Sequence, residues 1–434
     1  MTEFTRRKFI KKTGLTAGSI LGFPAIVSGQ NLNSKIRVAC IGVGGKGSSD
    51  TDNAAREGGE IVALCDVDAN TLGKKAQKFP KAAKFQDFRK MLEKMENQID
   101  AVTVSIPDHC HGVAGITAMQ MGKHAYVQKP LTQTVWESRF MRRLARENKL
   151  ATQMGNQGSA NEGLRRAVEV IHAGAIGEPL ELHVWTNRPV WPQGIGRPEG
   201  SDPIPDNLDW DLWLGPAPVR PFAAGRYHPA QWRRWWDFGQ GTLGDMACHY
   251  MDLPFWALKL RHPTHCEAEG PEVHPETCPL GLIVRYKFPE RDGLVPVDFT
   301  WYDGNRIPKK INGERVPGSG VMFMGSKGMM FANYGSYKFF PSEEFKGYKP
   351  PEQTIEKSIG HHAEWIKACK DGSPTTCNFD YSGALTESVL LGNVAYRTGK
   401  ALEWDAKALK ATNCEEADKY IRKVYRSGWE VAEV

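Results

Sequence analysis

The stretch Lys35–Gly47, KIRVACIGVGGKG, limits the fold more than any other part of the 434-residue chain. An unbroken apolar run ending in glycines suits a strand buried on both faces of a parallel sheet. Gly42, Gly44 and Gly47 supply the spacing G-x-G-x-x-G. Between a strand and a helix, the first glycine permits the tight turn, the second lets backbone approach a pyrophosphate, and the third lets the helix pack closely. The next apolar run, EIVALCDVD, ends in Asp66 about twenty residues on, where a carboxylate bonds a ribose 2′-hydroxyl and repels a 2′-phosphate. The cofactor expected is NAD rather than NADP.

Strand and helix cues go on alternating: ANTLGKKAQKF, AAKFQD, FRKMLEKM, IDAVTVSIP, HCHGVAGITAMQMG and KHAYVQKP. This pattern predicts a doubly wound parallel sheet. Asp108 reads as the N-cap of the helix after IDAVTVSIP. His109 and His111 do not read as a metal pair, because a helix start rotates alternate residues apart; a place lining the nicotinamide, or the surface, is expected. After ATQMGNQGS the alternation breaks, which puts a boundary at Ser159. The second part opens with a helix, GLRRAVEVIHAG, and a strand, PLELHVWTN. Further on, GLIVRYKFP, VPVDFTWYDG, GVMFMGSKGMMFAN and SYKFFPS read as consecutive strands. The expected class is α/β: a Rossmann domain over 35–158, then an α+β domain over 159–434 with an open, largely antiparallel sheet. Asn378 is expected to cap the last long helix, YSGALTESVLLGNVAYRTGK.

Residues 1–34 stand apart. Arg6, Arg7, Lys8, Lys11 and Lys12 against Glu3 carry +4 of the chain's formal +6, so the remainder is nearly neutral and a nucleic-acid footprint is not expected. The basic start, a modest apolar stretch and small residues near IVSGQ read as a signal peptide. Thr5–Lys12, TRRKFIKK, resembles the twin-arginine type, which implies passage of a folded protein through the twin-arginine export machinery to the periplasm. No later apolar run is long enough for a stable membrane span. Nine cysteines leave at least one thiol free. Cys40 and Cys65 read as core residues, whereas Cys266 with Cys278, or Cys369 with Cys377, are possible pairs after export.

Two motifs narrow the reading. YVQKPLT, Tyr126–Thr132, ends the strand KHAYV, and GTLGDMACHYMD, Gly241–Asp252, puts Asp245 and His249 at i and i+4 on one helix face with Asp252 three further on. A histidine so placed can take a hydroxyl proton as hydride leaves the same carbon. A metal site built from Asp245, His249 and Asp252 lacks a further ligand cluster, so no metal is expected. With the glycine loop, these motifs resemble the glucose–fructose oxidoreductase / inositol dehydrogenase / rhizopine-catabolism (Gfo/Idh/MocA) family. The resemblance implies that Lys129 approaches both nicotinamide and substrate, and that Asp245 and His249 complete the catalytic group. It also implies that Pro107, His109, Gln128 and Asn156 line the cofactor beside Gly42, Gly44, Gly47 and Asp66, and that the second domain assembles a homo-oligomer. The family's first motif is typically Glu-Lys-Pro; here Gln128 replaces the glutamate, which removes a charge beside Lys129.

Between PLELHVWTN and the second motif lies an irregular stretch. It and its flanks hold Trp185, Trp191, Trp210, Trp213, Trp232, Trp235 and Trp236. Indole faces suit pyranose C–H faces, so a sugar or glycoside is the expected substrate, with Tyr227, His228, Arg233 and Asp252 as candidate contacts; most of the tryptophans are expected to pack loop on sheet. The expected activity is hydride transfer from a secondary hydroxyl to tightly bound NAD. Two alternatives stand beside it: glycoside cleavage through transient oxidation, elimination and re-reduction, and a non-catalytic carbohydrate-binding module.

Overall fold

The computed structural model of the protein describes residues 35–189 and 191–433. The export reading rests on residues 1–34, which lie outside them.

The first part alternates β1 (Ile36–Ile41), α1 (Gly45–Arg56), β2 (Gly59–Cys65), α2 (Ala69–Lys78), β3 (Ala83–Phe85), α3 (Phe88–Lys94), β4 (Ala101–Val104), α4 (Asp108–Gln120), β5 (His124–Val127), α5 (Val135–Glu147) and β6 (Thr152–Met154). All pairings are parallel, in the order β3-β2-β1-β4-β5-β6. The chain steps outward from β1 to β3 and then returns to the other side of β1. The crevice above the carboxyl ends of β1 and β4 is therefore the switch point where such sheets hold ligands. Local chemistry fixes the helix starts: the Asp68 carboxylate accepts from the Asn70 and Thr71 N–H groups, and Thr134 with Glu137 forms a capping box on α5.

The second part continues with α6 (Glu162–His172), β7 (Pro179–Thr186), α7 (Trp210–Leu214), α8 (Gly241–Tyr250), α9 (Asp252–Ala257), β8 (His265–Glu269), β9 (Ile283–Phe288), β10 (Val297–Asp303), the hairpin β11 (Lys310–Ile311) and β12 (Glu314–Arg315), β13 (Gly320–Gly325), β14 (Gly328–Ala332), β15 (Tyr337–Phe340), α10 (His361–Asp371), α11 (Phe379–Thr398), β16 (Leu402–Asp405), β17 (Lys410–Ala411) and α12 (Asp418–Ile421). Its nine-stranded sheet runs β15-β14-β13-β7-β10-β9-β8-β16-β17 and is antiparallel except where β10 meets β7. One face packs into a core shared with the helices through Leu182, Val184, Phe299, Val321 and Phe323. On the other, Trp185, Met322 and Met329 are buried while Tyr302, Met324, Phe331 and Phe340 are half-buried.

α11 is buried along most of its length and caps itself as expected, Asn378 accepting from the Tyr381 N–H. It packs against α5 of the first sheet, where Arg139 and Arg142 meet the buried Glu387 at 2.7 and 3.0 Å. α10 packs on α1. The final helices thus return to the nucleotide-binding half. Three short strands, β8, β16 and β17, complete the sheet where the sequence carries no strong β pattern; neighbouring strands recruit them. All nine cysteines are buried free thiols, so neither candidate pair is a disulfide. Among the described residues no helix is long and apolar enough to cross a membrane.

Candidate active site

The glycine loop is built for contact at its back and openness at its front. A Cβ on Gly42 would lie 2.4 Å from the Ser105 carbonyl oxygen, and one on Gly47 would lie 2.0 Å from the Gly42 carbonyl oxygen. Gly42 also has φ +78°, which favours glycine. A Cβ on Gly45 would meet nothing within 4 Å, so the loop presents bare backbone to the crevice. Asp66 closes the β2 end: its Oδ2 accepts from the Val43 N–H at 2.9 Å and its Oδ1 from the Asp68 N–H at 3.0 Å. Burial raises its carboxyl above the usual range, opposed by those two bonds. This cradle and carboxylate fit NAD.

At the end of β5, Lys129 crosses to α8. Its Nζ donates to the Asp245 carbonyl oxygen at 2.6 Å and to Asp245 Oδ1 at 2.8 Å. Arg233 Nε reaches the same Oδ1 at 3.1 Å. Burial alone would raise the Asp245 carboxyl, but the two cations hold it down at about 2. One helical turn on, His249 is half-buried with no partner on Nδ1, and its ring stands edge-on to Tyr334 at 6.3 Å. Burial, with Lys129 adding to it, lowers the imidazole to about 3, so the ring is neutral at neutral pH. Asp108 joins this group unexpectedly. It is not the N-cap; Pro107 holds that position without a side-chain bond, and Asp108 lies in the first turn of α4, 3% exposed. Burial lifts its carboxyl to about 8 against the opposing pull of Arg233 and Lys129, so at neutral pH it carries its proton.

Residues 36–156 match the family described as "Oxidoreductase family, NAD-binding Rossmann fold", and residues 161–431 match its companion, "Oxidoreductase family, C-terminal alpha/beta domain". The chain belongs to this Gfo/Idh/MocA family of oxidoreductases. Among curated relatives, the alpha-N-acetylgalactosaminidase of Shewanella oneidensis is 30% identical over 210 residues, 42% of this chain and 45% of that protein. The inositol 2-dehydrogenase of Salmonella typhimurium is 24% identical over 152 residues, 34% of this chain and 45% of that protein. Each match spans less than half of the relative's length. The fold is shared with the WlbA dehydrogenase from Bordetella pertussis, solved with NADH and UDP-GlcNAcA: TM-score 0.59, 16% identity, 86% of this chain and 99% of that one.

Several expected contacts lie elsewhere. Tyr227 is 1% exposed, its ring 5.1 Å from Trp235 and 5.5 Å from Phe238, and is core rather than a sugar contact. Trp210, Trp213, Trp232 and Trp235 belong to the same buried cluster, and Trp185 and Trp236 are buried too. Of the seven indoles, Trp191 alone keeps partial exposure, with the Arg233 guanidinium 5.9 Å from its ring. His109 is neither surface nor open lining: its ring packs on Phe238 and Trp213, and its Nε2 lies 3.1 Å from the Trp213 carbonyl oxygen. His228 is 3.8 Å from Asp68 Oδ2 and feels the Asp66 charge, so it lies beside the carboxylates at the end of β2. Asp252 is fully buried and accepts from the Tyr381 hydroxyl at 2.7 Å; burial raises it to about 7. Asn156 Nδ2 donates to the Cys248 carbonyl oxygen on α8, leaving its buried Oδ1 without a partner. Among the described residues no group of three or more His, Cys, Asp or Glu is placed to hold a metal.

The sequence reading missed Asp108 as a charged-site residue, and it missed Asp50, Lys46 and His362 entirely. A carboxylate straight after the carboxyl end of β4 was a usable signal for Asp108. Nothing local marks His362.

Proposed function

We propose that the protein oxidises a secondary hydroxyl of a sugar or glycoside using an NAD that it holds through the cycle. The observation that carries this is the convergence of Lys129 and Arg233 on Asp245, with the unpartnered Nδ1 of His249 one turn away. Bound NAD supplies a reversible hydride acceptor. The protein's own part is to move the proton and orient the substrate: His249 accepts the hydroxyl proton, the Lys129 ammonium stabilises the oxygen as it loses that proton, and the paired Asp245 holds Lys129 in place. Trp191 is the indole available to a pyranose face. Relatives named for inositol oxidation and for N-acetylgalactosamine cleavage support a polyhydroxylated ring as substrate.

The test is the absorbance of bound nicotinamide on adding a panel of sugars and glycosides. His249→Ala is expected to slow the change about 10²- to 10⁴-fold; a variant with the full rate on every responding sugar overturns the assignment.

One observation favours net glycoside cleavage as a second reading. The protonated Asp108 beside Lys129 offers an acid for the departing glycosidic oxygen, a role that oxidation alone does not require. Once the ring carbon is a ketone the neighbouring C–H is acidic; its proton and the aglycone leave, water adds, and the ketone is reduced again. Free aglycone with no added NAD supports this cycle, whereas accumulated keto-sugar supports plain oxidation.

We also propose export through the twin-arginine route, supported by TRRKFIKK at Thr5–Lys12. Lysine at both Arg6 and Arg7 is expected to retain the protein in the cytoplasm. Assembly into a homo-oligomer is proposed from the half-buried Tyr302, Met324, Phe331 and Phe340 on the outer sheet face. Light scattering that gives a 48.4 kDa monomer at micromolar concentration opposes it.

A further inference from the structure

Behind the glycine loop a single carboxylate holds four elements together. Asp50, on α1, has no exposed surface. Its Oδ1 accepts from Lys46 one turn earlier on α1, and from His362 Nε2 on α10 at 3.1 Å. Its Oδ2 accepts from Ser105 Oγ, just past β4, at 2.8 Å and from Gln128 Nε2, at the end of β5, at 2.8 Å. The Gln128 amide lies against Gly155, where a Cβ would come within 2.5 Å of it, so only glycine leaves room for it there. His362 is stacked on Tyr126 of β5 at 4.7 Å. These contacts tie the nucleotide loop, both strand ends that frame the crevice, and the returning helix to one group.

The arrangement also accounts for glutamine at 128. Two carboxylates at 2.8 Å do not both ionise, so a glutamate there bonds Asp50 only by taking up a proton, whereas an amide donates to it at any pH. The negative charge missing from the Gln-Lys-Pro motif is present one hydrogen bond away. Lys46, 43% exposed in the first turn of the loop helix, is close enough to His249 for its charge to act on the imidazole.

We propose that Asp50 is a positioning residue for the cofactor and for Lys129 together: it fixes the Lys46 ammonium at the glycine loop for the NAD pyrophosphate, and holds Gln128, and with it the backbone entering Lys129, against α1. Charge-assisted bonds of this kind are worth at least about tenfold each in an equilibrium.

The test is the exchange of bound NAD for isotopically labelled NAD, followed by intact mass on the NAD-loaded protein, alongside thermal melting. Asp50→Asn is expected to exchange at least about tenfold faster, and so is Gln128→Glu, which sets two carboxylates face to face. Combined, the two substitutions exchange donor and acceptor across the same bond, so the double variant should exchange no more than about twofold faster than Asp50→Asn alone. Lys46→Gln should speed exchange whereas Lys46→Arg, which keeps the charge beside Asp50, should not, a split that a purely structural role for Asp50 does not predict. Wild-type exchange in Asp50→Asn or in Gln128→Glu overturns the proposal, as does a double variant whose defects simply add. If Asp50→Asn alone does not fold, Gln128→Glu with and without it still decides the matter.

Discussion

Asp108 gives the most demanding test of the site's electrostatics. Its carboxyl is held at about 8 in the folded protein, against an ordinary value of 3.8. A raised acid is protonated in the native state while already ionised in the unfolded chain, so the unfolded state releases the proton first. Stability from this group is therefore intact below about pH 4, falls as pH rises, and levels off above about pH 8, a loss of about 6 kcal/mol in all. Asp108→Asn keeps the shape and neutrality of the protonated acid and removes the titration. Measured by urea midpoints at about pH 5 and about pH 9, the variant's advantage over wild type should widen by about 4 kcal/mol. Asp252 and Asp303, both lifted to about 7 by burial, titrate in wild type and variant alike and cancel in the comparison. Parallel pH profiles would mean that Asp108 is already ionised, and the acid role proposed for it would fall.

The same reasoning extends to other positions. Asp245→Asn leaves Lys129 and Arg233 without their shared carboxylate and should lower kcat/KM about 10²-fold or more, with NAD content unchanged by intact mass. Tyr227→Ala should cost about 3–5 kcal/mol by denaturation yet leave the KM of the folded fraction for sugar unaltered, because the ring is core. Gly47→Ala, whose Cβ collides with the Gly42 carbonyl, should purify without NAD and melt lower. His228→Ala should weaken NAD by no more than about fivefold, with sugar KM constant, since its nearest charges are Asp68 and Asp66.

Where a residue's place follows from its own neighbours in the chain, the sequence was sufficient. The glycine spacing, Asp66 at the end of β2, Lys129 at the end of β5 and the i, i+4 pair of Asp245 and His249 need only a strand, a turn or one helical turn to take shape. Their geometry is set by periods of two and 3.6 residues that any stretch of the sequence displays. The same periodicity misplaced Asp108, because a short polar residue before an apolar helix reads as a cap whether it ends up outside the first turn or buried within it.

Burial and long-range charge had no local signature. Tyr227, Trp210, Trp213, Trp232 and Trp235 pack together instead of facing a sugar because the irregular stretch around them must cover its own apolar surface; Trp185 and Trp236 are buried in other clusters, and Trp191 is left partly open. Arg233 lies twelve residues from Asp245 and is brought to it by the turn that precedes α8, whereas His362 lies 312 residues from Asp50 and reaches it because α10 returns to pack on α1. Sequence alone determined that this chain builds a dinucleotide crevice with a lysine, an aspartate and a histidine near its mouth. Only the tertiary structure decided which of its acids carry charge there, because a carboxyl group's ionisation depends on the water it loses and the cations it meets, and both are supplied by residues far away in the chain.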